Sequence, residues 1–260
     1  MRILIKLGGT LLDSDDSRRR LAREIAALCR AHSVVAVHGG GKQMTRFLSE
    51  RGVESRFVEG LRVTTPEVLD AVLKVLAGTV NKQLVSALIE AGAHAVGISG
   101  IDGCLTEAET LRPDLGAVGR PMRTNPAVLN ALGEAGFIPV VACVAGDRQG
   151  RMFNVNADQM AVSCAAGFGA KRLLFLTDVE GVRGADGAVL GSLTAGDCIR
   201  LIRDGTATGG MQAKLNAAVQ ALEQGVDEVV ILPGYELEIL GRALRGEPLG
   251  TRLIPEEVRP

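Results

Sequence analysis

The chain has 260 residues, 47% of them hydrophobic, which is enough for one large α/β domain or two lobes around a shared sheet. Only 3% are aromatic and none is Trp, and the net charge is −1 with a pI near 6.3. This composition argues against a base-stacking surface and lacks the basic footprint of a nucleic-acid binder.

The first predicted strand is 2–7, Arg2-Ile3-Leu4-Ile5-Lys6-Leu7. Such an aliphatic, β-branched run reads as a buried parallel strand, so the Lys6 ammonium inside it is costly unless it meets an anion. Gly8 and Gly9 follow at once, and glycines let backbone N–H groups approach a ligand closely. A chain entering a strand immediately lacks the layout of a signal peptide. After a predicted helix at 17–31, strand 34–38 repeats the design, ending in His38-Gly39-Gly40-Gly41. Two glycine-rich strand ends, one with a lysine, point to a negatively charged, phosphorylated ligand. His38 has no second His, Cys, Asp or Glu at metal-ligand spacing, so a structural strand-end histidine is favoured over a ligand or base.

A helix is predicted over 41–51, a weak strand signal at 55–58 and a long helix over 66–91, opened by Pro66-Glu67. The apolar coverage of that helix, from Val68 to Ile89, exceeds what one face needs. It suits a central core helix and, equally, one whose second side lies in a subunit interface. No apolar run approaches the roughly 20 uninterrupted residues of a membrane span. Strands are predicted at 94–99 and 138–143, with a weaker signal at 103–111 and a helix over 125–135 between them. Gly146 to Arg151 reads as a turn joining two halves. Asn154-Val155-Asn156-Ala157-Asp158-Gln159 leads into a helix over 157–168, where Asp158 suits a capping acid. The two asparagines make the cluster richer than a cap requires.

Strand 172–177 runs into Thr177-Asp178-Val179-Glu180-Gly181-Val182, which suits ribose or base contacts and equally an ordinary turn. Thr206-Ala207-Thr208 sits in a flexible glycine-flanked loop before helix 211–224, which carries Lys214. A helical lysine is ordinarily solvated. Strand 227–232 completes the series. The five cysteines, at 29, 104, 143, 164 and 198, contain no C-x-x-C. They suit scattered reduced thiols in a cytoplasmic protein better than a disulfide framework or a zinc site.

Strand–helix alternation of this kind predicts an α/β fold with a mostly parallel sheet, covered on both faces and joined by right-handed crossovers. Such sheets bind ligands at the carboxyl ends of their strands, where the glycine clusters fall. The glycine strings match neither G-x-x-x-x-G-K-[ST] nor G-x-G-x-x-G, and no G-x-S-x-G elbow is present.

Seven motifs in order resemble the amino acid kinase family over essentially the whole chain. They are Lys6-Leu7-Gly8-Gly9, His38-Gly39-Gly40-Gly41-Lys42, Gly60-Leu61-Arg62-Val63-Thr64, Asn81-Lys82, Asn154 to Gln159, Thr177 to Val182, and Gly209-Gly210-Met211 through Lys214. The resemblance implies a three-layer αβα sandwich forming a single domain, with 1–170 as the acyl-amino-acid lobe and 171–260 as the ATP lobe. It implies a kinase that uses ATP to phosphorylate the γ-carboxylate of N-acetyl-L-glutamate, in arginine biosynthesis. N-acetyl-2-aminoadipate and N-succinylglutamate are the nearest alternative acceptors, and a non-catalytic nucleotide or amino-acid sensor is the alternative from another class.

Carried over residue by residue, Lys6 stabilises the transferring phosphoryl group from the acceptor side and Lys214 from the nucleotide side, while Asp158 holds both lysines. Gly8 and Gly9, with Gly40 and Gly41, lend N–H groups to the phosphates and the acceptor carboxylate. Arg62 grips the α-carboxylate and Asn154 contacts the acyl amino acid. Thr177, Asp178, Val179, Glu180, Gly181 and Val182, with Thr206, Ala207 and Thr208, lie where the family binds ATP. Mg2+ is held mainly by the nucleotide phosphates, with no metal ligand assigned in the protein. One departure is Gly100-Ile101-Asp102-Gly103, where the family commonly has Gly-Lys-Asp-Gly. The start at strand one suits the unregulated type, a cytoplasmic homodimer without nucleic-acid or membrane partners.

Overall fold

A computed structural model describes residues 1–256. Along β1 (Arg2–Leu7) the side chains alternate: Leu4 packs in one core layer, and Ile3, Ile5 and Leu7 pack in the other. This two-sided burial is why the strand reads as a continuous apolar run. β2 (Ser33–His38) pairs with it in parallel, and β3 (Phe57–Val58) with β4 (Leu61–Arg62) forms a hairpin at the weak 55–58 signal. β5 (Ala95–Ser99) follows, then β6 (Thr106–Thr110), β7 (Val118–Thr124), β8 (Ile138–Ala142), β9 (Val144–Gly146), β10 (Met152–Val155) and β11 (Arg172–Thr177). β12 (Ser192–Leu193), β13 (Glu228–Pro233) and β14 (Thr251–Leu253) complete the set.

The main sheet has eight strands in the order β12-β14-β13-β11-β1-β2-β8-β5, all parallel to their neighbours except β14 against β13. β1 sits between β2 and the much later β11, so the chain winds outward from it in both directions. The ends of β1 and β11 therefore flank a topological switch point, where such sheets open a crevice. Helices Asp15–Leu28, Gly41–Ser49, Pro66–Glu90 and Ile239–Leu244 share the layer of Ile3, Ile5 and Leu7. Helices Ala157–Phe168 and Gly209–Glu223 share the layer of Leu4. The observed architecture is the three-layer α/β sandwich expected.

β6, β7, β9 and β10 close into a small four-stranded barrel. It absorbs the weak 103–111 signal. The turn Gly146 to Arg151 is the loop of the β9–β10 hairpin, so it lies within this barrel and does not join two halves. Asp147 Oδ1 accepts the Gln149 and Arg151 amides there, at 2.8 and 2.9 Å.

Helix Pro66–Glu90 is continuous, but its middle, Leu73–Val80, is a π-helix. By length and composition it is apolar enough to cross a membrane. In the fold it buries Val68, Val72, Leu76, Val80, Leu84 and Leu88, leaving Leu69, Leu73 and Val85 half-buried and Ile89 exposed. The wide apolar coverage is thus one core face plus a partly open second side.

Candidate active site

Lys6 lies on the same side of β1 as Leu4, towards the layer that contains helices Ala157–Phe168 and Gly209–Glu223. Those two helices supply Asp158 and Lys214. Lys6 Nζ lies 2.7 Å from Asp158 Oδ1, and Lys214 Nζ lies 2.9 Å from Asp158 Oδ2. All three residues are buried, with 8–9% exposure, which for charged groups requires pairing. The Asp158 carboxyl is pushed up by burial, yet Lys6 and Lys214 outweigh that effect and hold it at about 2. Burial, then Lys6, lowers the Lys214 ammonium from its ordinary range, and Asp158 opposes them. Lys214 also lies 5.2 Å from the centre of the Phe175 ring, whose face favours a cation.

Asp158 is free for this task because Asn156 caps the helix, its side-chain oxygen accepting the Asp158 and Gln159 amides at 2.9 and 3.2 Å. The capping alternative for Asp158 is therefore excluded. Its place in the first turn still puts a carboxylate at the positive end of the helix dipole.

The three charges border a cleft of about 960 Å3 that Gly8, Gly9, Gly41, Arg62, Thr177, Asp178 and Val179 also line. Gly9 packs directly against the second glycine turn: a Cβ built on it would lie 3.0 Å from Gly41 N and 3.1 Å from Gly40 N. The Gly9, Gly40 and Gly41 N–H groups have no acceptor among the described residues. They form a concavity suited to an anion. Gly8 differs, since its N–H donates to the Leu176 carbonyl at 2.9 Å and is already committed.

Arg62 lies 4.6 Å from the Phe57 ring centre and donates to Thr45 Oγ1 at 2.9 Å and the Gly41 carbonyl at 3.2 Å. No carboxylate pairs with it among the described residues. Gly40 and Asn154 line a smaller adjoining pocket of about 170 Å3, which shares Gly41, Phe57 and Arg62 with the cleft. There Asn154 donates to Thr64 Oγ1 at 3.0 Å.

The remaining residues named from the sequence lie off the lining of both cavities. Glu180 is exposed and paired with Arg183 at 2.7 Å. Gly181 sits against Val189 and Thr251, and Val182 is core, its N–H donating to Thr251 Oγ1. Ala207 is also core, its N–H donating to the Leu201 carbonyl, so it anchors the loop that holds Thr206 and Thr208.

Thr10, Thr45, Arg46, Ser49 and Phe57 also line the cleft and are not among the residues the sequence points to. Lys42, Thr45, Arg46 and Ser49 are spaced i, i+3, i+4, i+7, a polar stripe on helix Gly41–Ser49 that sequence periodicity does reveal. Phe57 carries no comparable signal. His38 is fully buried and does not line the cleft, in keeping with a structural role. No group of three or more His, Cys, Asp or Glu that could hold a metal occurs among the described residues.

The model of the amino acid kinase family matches residues 1–233. An acetylglutamate kinase of Solibacter usitatus is 60% identical, over 98% of this chain and 99% of its own length. One of Acidobacterium capsulatum is 44% identical, over 92% and 94%. Among solved structures, an N-acetylglutamate synthase of Neisseria gonorrhoeae, complexed with coenzyme A and N-acetyl-glutamate, aligns with a TM-score of 0.85 at 26% identity. The alignment covers 98% of this chain but 59% of that longer one. With the family's pattern matched across most of its length and close relatives along nearly all of it, the chain belongs to the amino acid kinase family.

Proposed function

We propose that the protein transfers the γ-phosphoryl group of ATP to the γ-carboxylate of N-acetyl-L-glutamate, giving N-acetyl-L-glutamyl 5-phosphate and ADP. The observation that carries this reading is Asp158 bridging two buried lysines beside unpaired glycine amides. Two ammoniums and one carboxylate leave a net charge of +1 on side chains largely withdrawn from water at the wall of the cleft. Fixed charge of that sign, aimed at a phosphoryl group in flight, stabilises the transition state without reorganisation. The acceptor is already an anion, so no general base is needed and catalysis reduces to positioning and charge neutralisation.

In this reading Lys6 faces the acceptor side and Lys214 the nucleotide side, and Asp158 fixes their separation. The Gly9, Gly40 and Gly41 amides bind phosphoryl and carboxylate oxygens, while Gly8 shapes the turn. Arg62 offers its unpaired charge to the α-carboxylate, a match for its planar fork, and Asn154 meets the acyl amino acid in the smaller pocket. Residues 1–170 bind the acceptor. Residues 171–260, of which 257–260 lie outside the described part, bind ATP through the turn after Thr177 and the loop at Thr206–Thr208.

Among the described residues Asp158 and Asp178 are the only carboxylates lining the cleft, and Asp158 is committed to the lysines. That donor set suits a Mg2+ carried on the nucleotide phosphates, with Asp178 as its one protein carboxylate; the ion would neutralise phosphate charge. The reading also carries a cytoplasmic homodimer, and sedimentation as a single 27.2 kDa subunit would remove that part.

Hydroxylamine trapping of the acyl phosphate tests the assignment. N-acetylglutamate should react faster than N-succinylglutamate and N-acetyl-2-aminoadipate. Equal rates for all three would undo the acceptor but keep the reaction, and no acceptor-dependent ADP would leave only a sensor.

A further inference from the structure

His38 and Asn81 are both 0% exposed, lie outside the cleft lining and meet each other behind the glycine turn. Asn81 Nδ2 lies 2.9 Å from the Val140 carbonyl, which can only accept, and Lys82 Nζ donates to Asn81 Oδ1 at 3.2 Å. These contacts fix which end of the amide is NH2. That end lies 3.1 Å from His38 Nε2, so Nε2 accepts. Burial pushes the imidazole down to about 4, and at neutral pH it carries one proton. With Nε2 accepting, that proton sits on Nδ1, where it donates to the Gly39 carbonyl at 3.0 Å.

The Gly39–Gly40 peptide is planar and trans, so its C=O and N–H point in opposite directions. A carbonyl held inward by His38 therefore turns the Gly40 N–H outward, to the side where Gly9 and Gly41 meet. The neighbouring groups are pinned as well: the Gly39 N–H donates to the Leu7 carbonyl at 3.3 Å, and the Cys143 thiol donates to the His38 carbonyl at 2.9 Å. Gly40 N–H is the first donor in this stretch without an acceptor among the described residues.

We propose that a hydrogen-bond relay running from the exposed Lys82 through the buried Asn81 and His38 orients the Gly40 N–H as an anion donor, making His38 and Asn81 positioning residues for phosphoryl transfer. Gly97 belongs to the relay by its size, because a Cβ there would fall 1.9 Å from Asn81 Oδ1. The inference rests on the kinase reading but is tested apart from it.

The first measurement is the 15N shift of the His38 ring in the folded parent protein, which reports the tautomer directly. Protonated Nδ1 with bare Nε2 is expected; the opposite tautomer overturns the proposal whatever the activity. The second compares His38→Leu, of similar bulk but without a donor, with His38→Asn, whose amide can reach the Gly39 carbonyl. The Leu variant should lose about ten- to a hundredfold in kcat with KM for ATP changed less than threefold, and the Asn variant should recover most of the loss. Equal losses in both variants, or a loss confined to KM, would overturn it. A parent with no kinase activity but the expected tautomer would instead sink the kinase reading.

Discussion

Replacing Asp158 by Asn removes the charge between Lys6 and Lys214 while keeping the side chain's shape. Both ammoniums now contact opposite oxygens of one carboxylate, at 2.7 and 2.9 Å. Without that carboxylate each ammonium loses a counter-ion attraction of about 4–6 kcal/mol at an effective dielectric constant near 20, and the repulsion between them, present in the parent too, is no longer offset. That loss favours the neutral amine, so one lysine sheds its proton at lower pH than in the parent. Lys214 is the residue to yield, because burial and Lys6 already lower it and Asp158 is what holds it up. The variant also loses charge-assisted hydrogen bonds that orient both lysines, costing about 3 kcal/mol in the transition state, or roughly a hundredfold in kcat. The assay is initial-rate ADP formation with N-acetylglutamate between pH 6 and 10. The variant's alkaline limb should lie at lower pH than the parent's, so its relative deficit grows as pH rises through that window. A profile superimposable on the parent's, with kcat within about threefold, would refute the reasoning.

Lys6→Ala and Lys214→Ala should each lower kcat by about two decades or more while binding of at least one substrate survives, as calorimetry would register. Gly9→Ala would place a methyl 3.0–3.2 Å from the Gly40 and Gly41 backbone. It should cut kcat at least about tenfold with thermal stability nearly unchanged, and normal turnover would deny that these amides serve the reaction. Arg62→Lys keeps the charge but loses the fork, and should raise KM for N-acetylglutamate about tenfold while leaving KM for ATP in place. A change in the ATP term alone would move Arg62 to the nucleotide side.

Much of the fold is legible in the sequence because burial on both faces forces long aliphatic runs. The segments 2–7, 34–38, 94–99, 138–143, 172–177 and 227–232 correspond to β1, β2, β5, β8, β11 and β13 within a residue or so at each end. β12 and β14 are two and three residues long, too short for periodicity, and form by pairing at the sheet edge. β7 contains Arg120, Pro121 and Arg123 and reads as loop, since its order comes from the barrel. Helix Ala195–Arg203 is not among the predicted elements, although its capping box, Thr194 with Asp197, is visible in the sequence.

At the site, Lys6 stands out alone as a charge inside an apolar strand. Asp158 and Lys214 do not, because a first-turn acid and a helical lysine are ordinary by themselves. No local pattern tells that residues 6, 158 and 214 meet, and only the family resemblance brings them together before the fold does. Helix Pro66–Glu90 shows a further limit: its apolar residues are plain, but the π-helical Leu73–Val80 lies just before Asn81, which turns inward to His38. A 3.6-residue period does not register that change.

Transfer to a carboxylate oxygen is the central claim, and isotope tracing tests it most directly. N-acetylglutamate labelled with 18O in its γ-carboxylate is turned over with ATP in hydroxylamine, and the released phosphate is weighed by mass spectrometry. If the carboxylate attacks phosphorus, hydroxylamine attacks the acyl carbon and each phosphate leaves with one labelled oxygen. Unlabelled phosphate, with ADP still forming, would show that water and not the carboxylate received the phosphoryl group.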